Sequence, residues 1–387
     1  NNVTNFTLYN ILTTNGTFTN FVINKNNLTV GQTWKAQVWI NDGSSNSTLV
    51  NTTELLILFP QNTAPTFNTG YPQINSSDGT NLTTRNLQAT FIGIDNENTT
   101  LTYNITWFTN NISNFTLREI SYTNNTLRTE ALNSRNLTKG QTWKAMIALH
   151  DGALTNYTNT SELLILNTPP AFDGGYPQIN STDGTNQTTK NLGVTFKAND
   201  TDINDILRYD IQVFTNNVSN FTLRNIAYTN GTLQVETINS RNFTKGQTWK
   251  AQINLSDGTS NIFTNTSELL ILNTPPAFQV NPVINSTNGL NLTTQDLNVF
   301  FTPNESDAAD LANINYSIMV YTNNLTNFSL YNIRTSNGTF TQFVINNRNT
   351  SKGETWKTQV WITDGTSNST LVNTSELLIL GSAPVFN

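Results

Sequence analysis

From Thr33 to Ile40 the chain alternates. Trp34, Ala36, Val38 and Ile40 fall on one side, Lys35, Gln37 and Trp39 on the other. A period of two is what a strand with one face on a core requires, and the Asp42-Gly43 that follows favours a turn. The run returns as Trp143, Ala145, Ile147 and Leu149 before Asp151, and as Trp249, Ala251, Ile253 and Leu255 before Asp257. A fourth copy carries Trp356 and Asp364. Each copy is followed by Glu-Leu-Leu-Ile-Leu, starting at Glu54, Glu162, Glu268 and Glu376. The four tryptophans are 109, 106 and 107 residues apart, a period too long for a solenoid repeat and suited to a whole domain.

Aligning the copies internally predicts the strands of one unit. After Ala-Pro-Thr-Phe at Ala64 come Leu87–Ile94, an acidic loop, Leu101–Phe108, a hairpin within Phe115–Leu132, the Trp143 strand and the Glu162 strand. That is about seven strands with turn signals every ten or so residues and no helical periodicity, the pattern of an all-β two-sheet sandwich. The hairpin turns read Thr-Asn-Gly-Thr at Asn15 and Asn230, Ser-Asn-Gly-Thr at Asn337 and Thr-Asn-Asn-Thr at Asn124; these residues tolerate positive φ. Trp34, Trp143, Trp249 and Trp356 are the expected core residues.

The linkers Asn62-Thr63-Ala64-Pro65, Asn167-Thr168-Pro169-Pro170 and Asn273-Thr274-Pro275-Pro276 hold the chain extended, so the units are expected to form a rod. The expected plan is a C-terminal half-domain at 1–60, whole domains at 61–167, 168–273 and 274–381, and the first strand of a further domain at 382–387. Residues 1–58 match 323–380 at 43 positions, closer than either matches the middle copies, which suggests a higher-order period of three domains. The missing strands of the half-domain lie outside this window or come from a neighbouring chain; the arithmetic favours the window.

Composition changes the picture at the surface. Charged residues are 11% and the net charge is -6, so nucleic acid is not an expected partner. Asparagine numbers 65 and, with threonine, makes up about a third of the chain. A weakly charged, Asn-rich β protein risks pairing through its edges unless something covers them. There are no cysteines, hence no disulfide or thiolate metal site. No stretch approaches the roughly 18 apolar residues of a membrane span, and no signal peptide is visible.

Asn-x-Ser/Thr, the acceptor triplet for N-glycans, occurs 35 times, about twice what chance association of these residues gives. Five sets recur in every copy: Asn2, Asn111, Asn217 and Asn324; Asn5, Asn114, Asn220 and Asn327; Asn15, Asn124, Asn230 and Asn337; Asn27, Asn136, Asn242 and Asn349; Asn51, Asn159, Asn265 and Asn373. The middle residue drifts (Leu28, Leu137, Phe243, Thr350) while the triplet survives. The others are Asn46, Asn75, Asn81, Asn98, Asn104, Asn156, Asn180, Asn186, Asn199, Asn254, Asn285, Asn291, Asn304, Asn315 and Asn368. Of these, Asn104, Asn199, Asn254 and Asn315 fall in or beside strands, on the face opposite the apolar residues. All 35 are candidate glycosylation sites, and sugar would supply the solvation that charge normally does.

Other constellations are weaker. The loop after the second strand is acidic: Asp95 and Glu97; Asp200, Asp202 and Asp205; Glu305, Asp307 and Asp310. In a sandwich this loop shares an end with the Asp-Gly turn, so Asp257 could approach Asp200 or Asp202. Oxygen ligands gathered there would suit calcium; a solvated turn is the simpler account. The lone His150 reads as a solvated turn residue. No paired carboxylates recur in a glycosidase register, and no catalytic residue is assigned. Outward leucines of Glu-Leu-Leu-Ile-Leu, with Trp39 and Trp361, are either covered locally or mark side-by-side contact.

The run Gly31-Gln32-Thr33-Trp34-Lys35-Ala36 through Val38 to Asp42-Gly43, with the Ala-Pro linkers and the acidic loop before Leu101-Thr102-Tyr103, resembles tandem immunoglobulin-like domains of archaeal and bacterial cell-surface proteins along the whole chain. Relatives often carry cysteine where Ala36, Ala145, Ala251 and Thr358 stand. The chain also lacks the Gly-Asp-Gly turn of the polycystic-kidney-type repeat. The resemblance implies an extracellular structural or adhesive array; composition leans to an archaeal source. The expected role is a heavily glycosylated fibre, stalk or surface coat with no catalysis, its partners copies of itself end to end and side by side. The alternatives are an adhesin binding surface carbohydrate or protein through its loops, or a non-catalytic appendage of a carbohydrate-active enzyme.

Overall fold

The computed structural model describes residues 3–59 and 61–383. Asn2 and the end of the segment 382–387 lie outside them. Among the described residues there are strands and four short 3-10 turns, and no helix long and apolar enough to cross a membrane. By contact the chain divides into two compact units. The first comprises Asn1–Asn75, Leu87–Ala131 and Thr142–Leu163, the second Ser76–Asn86, Leu132–Gln141 and Leu164–Asn387.

The second unit holds the sandwich around Trp249. Its strands are β1 (Ala171–Phe172), β2 (Gln178–Ser181), β3 (Leu192–Asn199), β4 (Arg208–Thr215), β5 (Val218–Ala227), β6 (Leu233–Ile238), β7 (Thr248–Ser256), β8 (Asn261–Asn265) and β9 (Leu269–Leu270). A four-stranded sheet sets β3 between β6 and the β1 and β2 segments; a five-stranded sheet runs β5-β4-β7-β8 with β9 also on β7. Two of the roughly seven expected strands are thus each split into two segments along one neighbour. The named strands pair antiparallel, with β7 meeting β4 from Trp249↔Thr215 to Ser256↔Arg208.

The alternation does what it predicts. Trp249, Ala251, Ile253 and Leu255 are at most 1% exposed and face Leu192, Val194 and Phe196 of the other sheet in one apolar cluster. Each of the larger aliphatic and aromatic side chains among them contributes about 1.5–3 kcal/mol by leaving water. Phe196 lies at centroid distances of 5.0 Å from Tyr209 and 5.4 Å from Tyr228. A second cluster repeats the plan at Leu297, Val299, Phe301, Ile318, Val320 and Trp356.

Tyr228 also ties the sheets together. Its hydroxyl accepts from the Ala198 N–H at 2.9 Å and reaches Thr232 O at 2.6 Å. In the first unit Tyr122 makes the same bonds to the Gly93 N–H, at 2.8 Å, and to Thr126 O, at 2.5 Å. Where threonine replaces tyrosine, the hydroxyl pairs Thr13–Thr19 and Thr335–Thr341 stand instead, at 2.6 and 2.7 Å.

The first unit carries the same four-strand arrangement of Thr100–Thr109, Ile112–Thr123, Thr142–His150 and Thr155–Asn159, with Trp107, Trp143 and Ile147 at most 1% exposed. Residues 3–59 differ. Their strands are two residues long and form two-stranded pairs. Val38 and Ile40 are 54% and 61% exposed, whereas Ile147 and Leu149 are buried. Trp34 is only partly covered, by Phe6 at 6.5 Å, and is not the core residue its pattern predicts. The reason is that, among the described residues, no second sheet lies over it.

Candidate acceptor asparagines and acidic clusters

An asparagine can carry a glycan only if its Nδ2 reaches solvent and can give up one of its two hydrogens. The structure sorts the triplets on that criterion. Asn110-Asn111, Asn216-Asn217 and Asn323-Asn324 are two-residue hairpin turns with both residues at positive φ, 48° and 65° in the first. These turns escape the sequence reading, although an Asn-Asn pair between two apolar runs signals them. Asn111, Asn217 and Asn324 are exposed, and their Oδ1 atoms accept from Lys144, Lys250 and Lys357. Three residues on, Asn114, Asn220 and Asn327 are exposed and donate one Nδ2 hydrogen to Thr109, Thr215 and Thr322 at 3.1, 2.9 and 2.9 Å. The second hydrogen remains.

Asn27, Asn136, Asn242 and Asn349 end the 3-10 turns, each turn capped by the preceding Asn24, Asn133, Asn239 or Asn346 side chain. They are exposed, as are Asn51, Asn159, Asn265 and Asn373 on edge strands. Asn5, Asn15, Asn46, Asn75, Asn180, Asn285, Asn304 and Asn368 are exposed as well.

Three members of the Asn-Gly turn set are different. Asn124 Oδ1 accepts the Asp95 N–H at 2.9 Å, while its Nδ2 donates to Asp95 O at 2.5 Å and Asn98 O at 2.7 Å. Asn230 accepts from the Asp200 N–H at 2.8 Å and donates to Asp200 O at 2.7 Å. Asn337 does the same at Glu305, at 2.7 and 3.0 Å. These amides work as two-point clamps on the acidic loop. A sugar replaces one Nδ2 hydrogen: at Asn124 that breaks one of the two donated bonds, and at all three positions it would crowd the loop against which the amide lies.

Other amides are also engaged. Asn156 donates to Pro65 O at 2.9 Å, Asn199 to Asp173, and Asn98 to Asp95 at 3.3 Å and Asn62 at 3.4 Å. Asn104 uses its carbonyl on the Glu119 N–H at 2.7 Å. Asn81, Asn186 and Asn291 are half-buried at positive φ. Asn254 and Asn315 are half-buried, the former with an enclosed Oδ1 that lacks a donor.

The acidic loop is positioned by that clamp. Within the second unit, Asp200, Asp205 and Asp257 each bring a carboxylate oxygen within 4.8 Å of the others. Asp202 has a separate use: Oδ1 takes Thr83 Oγ1 at 2.5 Å and Oδ2 the Thr168 N–H at 2.8 Å. Lys139 pairs with Asp205, and Asn167 donates to Asp257 Oδ2 at 2.8 Å. The pattern recurs one copy later. Thr188 and the Thr274 N–H hold Asp307, Lys245 Nζ lies 2.6 Å from Asp310 Oδ2, and Asn273 donates to Asp364 at 2.8 Å. In the first unit Asn62 reaches Asp151 at 2.9 Å and Thr63 reaches Glu97 at 2.9 Å. His150 sits in that turn, its Nδ1 2.8 Å from Leu154 O.

Thr83, Lys139, Asn167 and their equivalents are the residues the sequence reading misses. A signal existed: Lys139 and Lys245 each precede a loop that carries a third acid (Asp205, Asp310), whereas Val30 precedes the short loop at Asp95, which has none.

Burial pushes the Asp200 carboxyl up, and the charges of Asp202, Asp205 and Asp257 add to it against a backbone N–H that lowers it. Glu305 is raised likewise, by burial and then by Asp307 and Asp364. Burial pushes Asp257 up too, but hydrogen bonds from Asn167 and from the Ser260 and Thr259 N–H groups outweigh it, leaving it lowered. Lys139 and Lys245 are raised by their bonds to Asp205 and Asp310.

The comparisons add little beyond this architecture. No known protein family matches the sequence, and no curated protein is similar to it. Among solved structures, the chain is similar to the FN1–FN3 domains of chicken CNTN1, with 8% identity, 82% of this chain and 97% of that one covered, and a TM-score of 0.27. It is similar as well to the chicken interferon gamma receptor alpha chain, with 10% identity, 55% and 98% covered, and a TM-score of 0.30. The architecture is read from the strands themselves: all-β sandwiches of antiparallel sheets, repeated along the sequence.

Proposed function

We propose that the chain is an N-glycosylated extracellular structural protein, a section of a fibre, stalk or surface coat assembled from immunoglobulin-like domains at 61–167, 168–273 and 274–381, with the half-domain at 1–60. It does no catalysis, and an archaeal cell surface is its proposed location. The observation that carries this reading is the recurrence of solvent-facing acceptors at fixed places. Asn114, Asn220 and Asn327 stand exposed at one position of three copies, and the sets at Asn136 and Asn159 repeat in the same way. With 11% charged residues, such a surface needs another source of solvation, and sugars also screen sheet edges.

The experiment is an intact-mass measurement on protein isolated from its source, before and after chemical deglycosylation. The expected result is a broad mass well above that of the polypeptide, collapsing to the polypeptide mass on treatment; residues 1–387 alone weigh 43.0 kDa. No change on treatment contradicts the reading.

A further inference from the structure

Four carboxylates lie around Lys139, and their oxygens can be assigned one by one. Asp202 spends both on Thr83 and Thr168. Asp257 Oδ1 takes the Thr259 and Ser260 N–H groups and Oδ2 takes Asn167. Asp200 Oδ1 takes the Asp202 N–H at 2.7 Å, and Asp205 Oδ1 takes Lys139. Two oxygens remain, Asp200 Oδ2 and Asp205 Oδ2, both enclosed and without a donor. Asp200 is 7% exposed and the Asp205 side chain 3%. Both residues belong to the trio whose carboxylate oxygens converge within 4.8 Å. Leaving two buried carboxylate oxygens undonated beside a third carboxylate is unfavourable, and one ammonium does not neutralise four acids.

We propose that Asp200, Asp205 and Asp257 bind a hard divalent cation of the calcium class. The donors are all oxygen, as calcium prefers over softer metals, and carboxylates can ligate it through one or both oxygens. An open cleft lined by Asn204, Asp205, Asp257 and Gly258 gives water and the ion a way in. The loop is already fixed by the Asn230 clamp, so little ordering is left to do on binding.

The next copy is an internal control. Glu305 is 3% exposed, and its Oε2 also lacks a donor. Yet among the described residues only the Asp200 group brings three ligand atoms together. The expected stoichiometry is therefore one ion per chain.

The test is calorimetric titration of calcium chloride into the full, chelator-treated chain at neutral pH. One saturable site is expected. Asp200→Asn and Asp257→Asn should each weaken it roughly ten-fold or more, while Lys139→Met, which removes the competing ammonium, should tighten it. Circular dichroism separates loss of the site from loss of the fold, and Asp205→Asn replaces any variant that does not fold. Absence of saturable binding by the wild-type chain, or equal binding by a folded Asp200→Asn chain, overturns the proposal. So would an Asp310→Asn variant that lost the site while Asp205→Asn kept it.

Discussion

Trp249→Ala is expected to destabilise its sandwich by about 3–5 kcal/mol, the range for emptying a large aromatic from a packed core. Trp249 is 1% exposed, its ring meets Phe243 edge-on at 4.9 Å, and its Nε1 donates to Gln247 at 3.1 Å. Truncation removes all three contributions and leaves a void that the β-sheet backbone on either side cannot close. Against a domain stability of roughly 5–15 kcal/mol, that is about a fifth of the total or more. The check is a denaturant titration read on the transition that the substitution shifts. Trp34→Ala is the control: the same motif residue, only partly covered, should cost under about 2 kcal/mol. Equal losses at the two positions would contradict the burial difference.

Lys245→Met ranks second, with an expected loss of roughly 2–4 kcal/mol, toward the low side for a buried pair because the Lys245 side chain keeps 24% exposure. The methionine preserves the stem but strands Asp310, whose side chain is 8% exposed, in a group that includes Asp307 and Asp364. Asp310→Asn in the same chain should recover most of the loss, and a double-mutant cycle measures how much. The pH dependence has a definite sign. Glu305 has its folded pKa above the unfolded one, so its stabilising contribution is present in acid and fades as pH rises past the ordinary carboxylate range. The Lys245→Met penalty should accordingly shrink on acidification, as Glu305 takes up its proton and the negative charge of the group falls. A penalty that grew in acid would point to a different role for Lys245.

The strands were legible because their cause is local. One buried face imposes period two, and Trp143, Ala145, Ile147 and Leu149 follow it without exception. Trp34 shows the limit of that inference. Its strand has the same pattern, but a pattern does not supply the opposite sheet, and the residue stays partly exposed. The acceptor triplets were legible as chemistry and not as accessibility. Asn124 and Asn114 read alike over three residues; what separates them is Asp95, 29 residues back, whose backbone the Asn124 amide grips. Likewise Asp200 and Asp257 were expected to meet, yet the assignment of Asp202 to Thr83 depends on a contact spanning 119 residues. Nothing near either residue announces it.

The account rests on which amides are free, so site-resolved glycopeptide mapping of the protein from its source tests it most directly. Sugar is expected at Asn114, Asn220 and Asn327, and unmodified asparagine at Asn124, Asn230 and Asn337, although all six sit in complete triplets. Bare amides at the first three, or sugar on the three loop clamps, would contradict it.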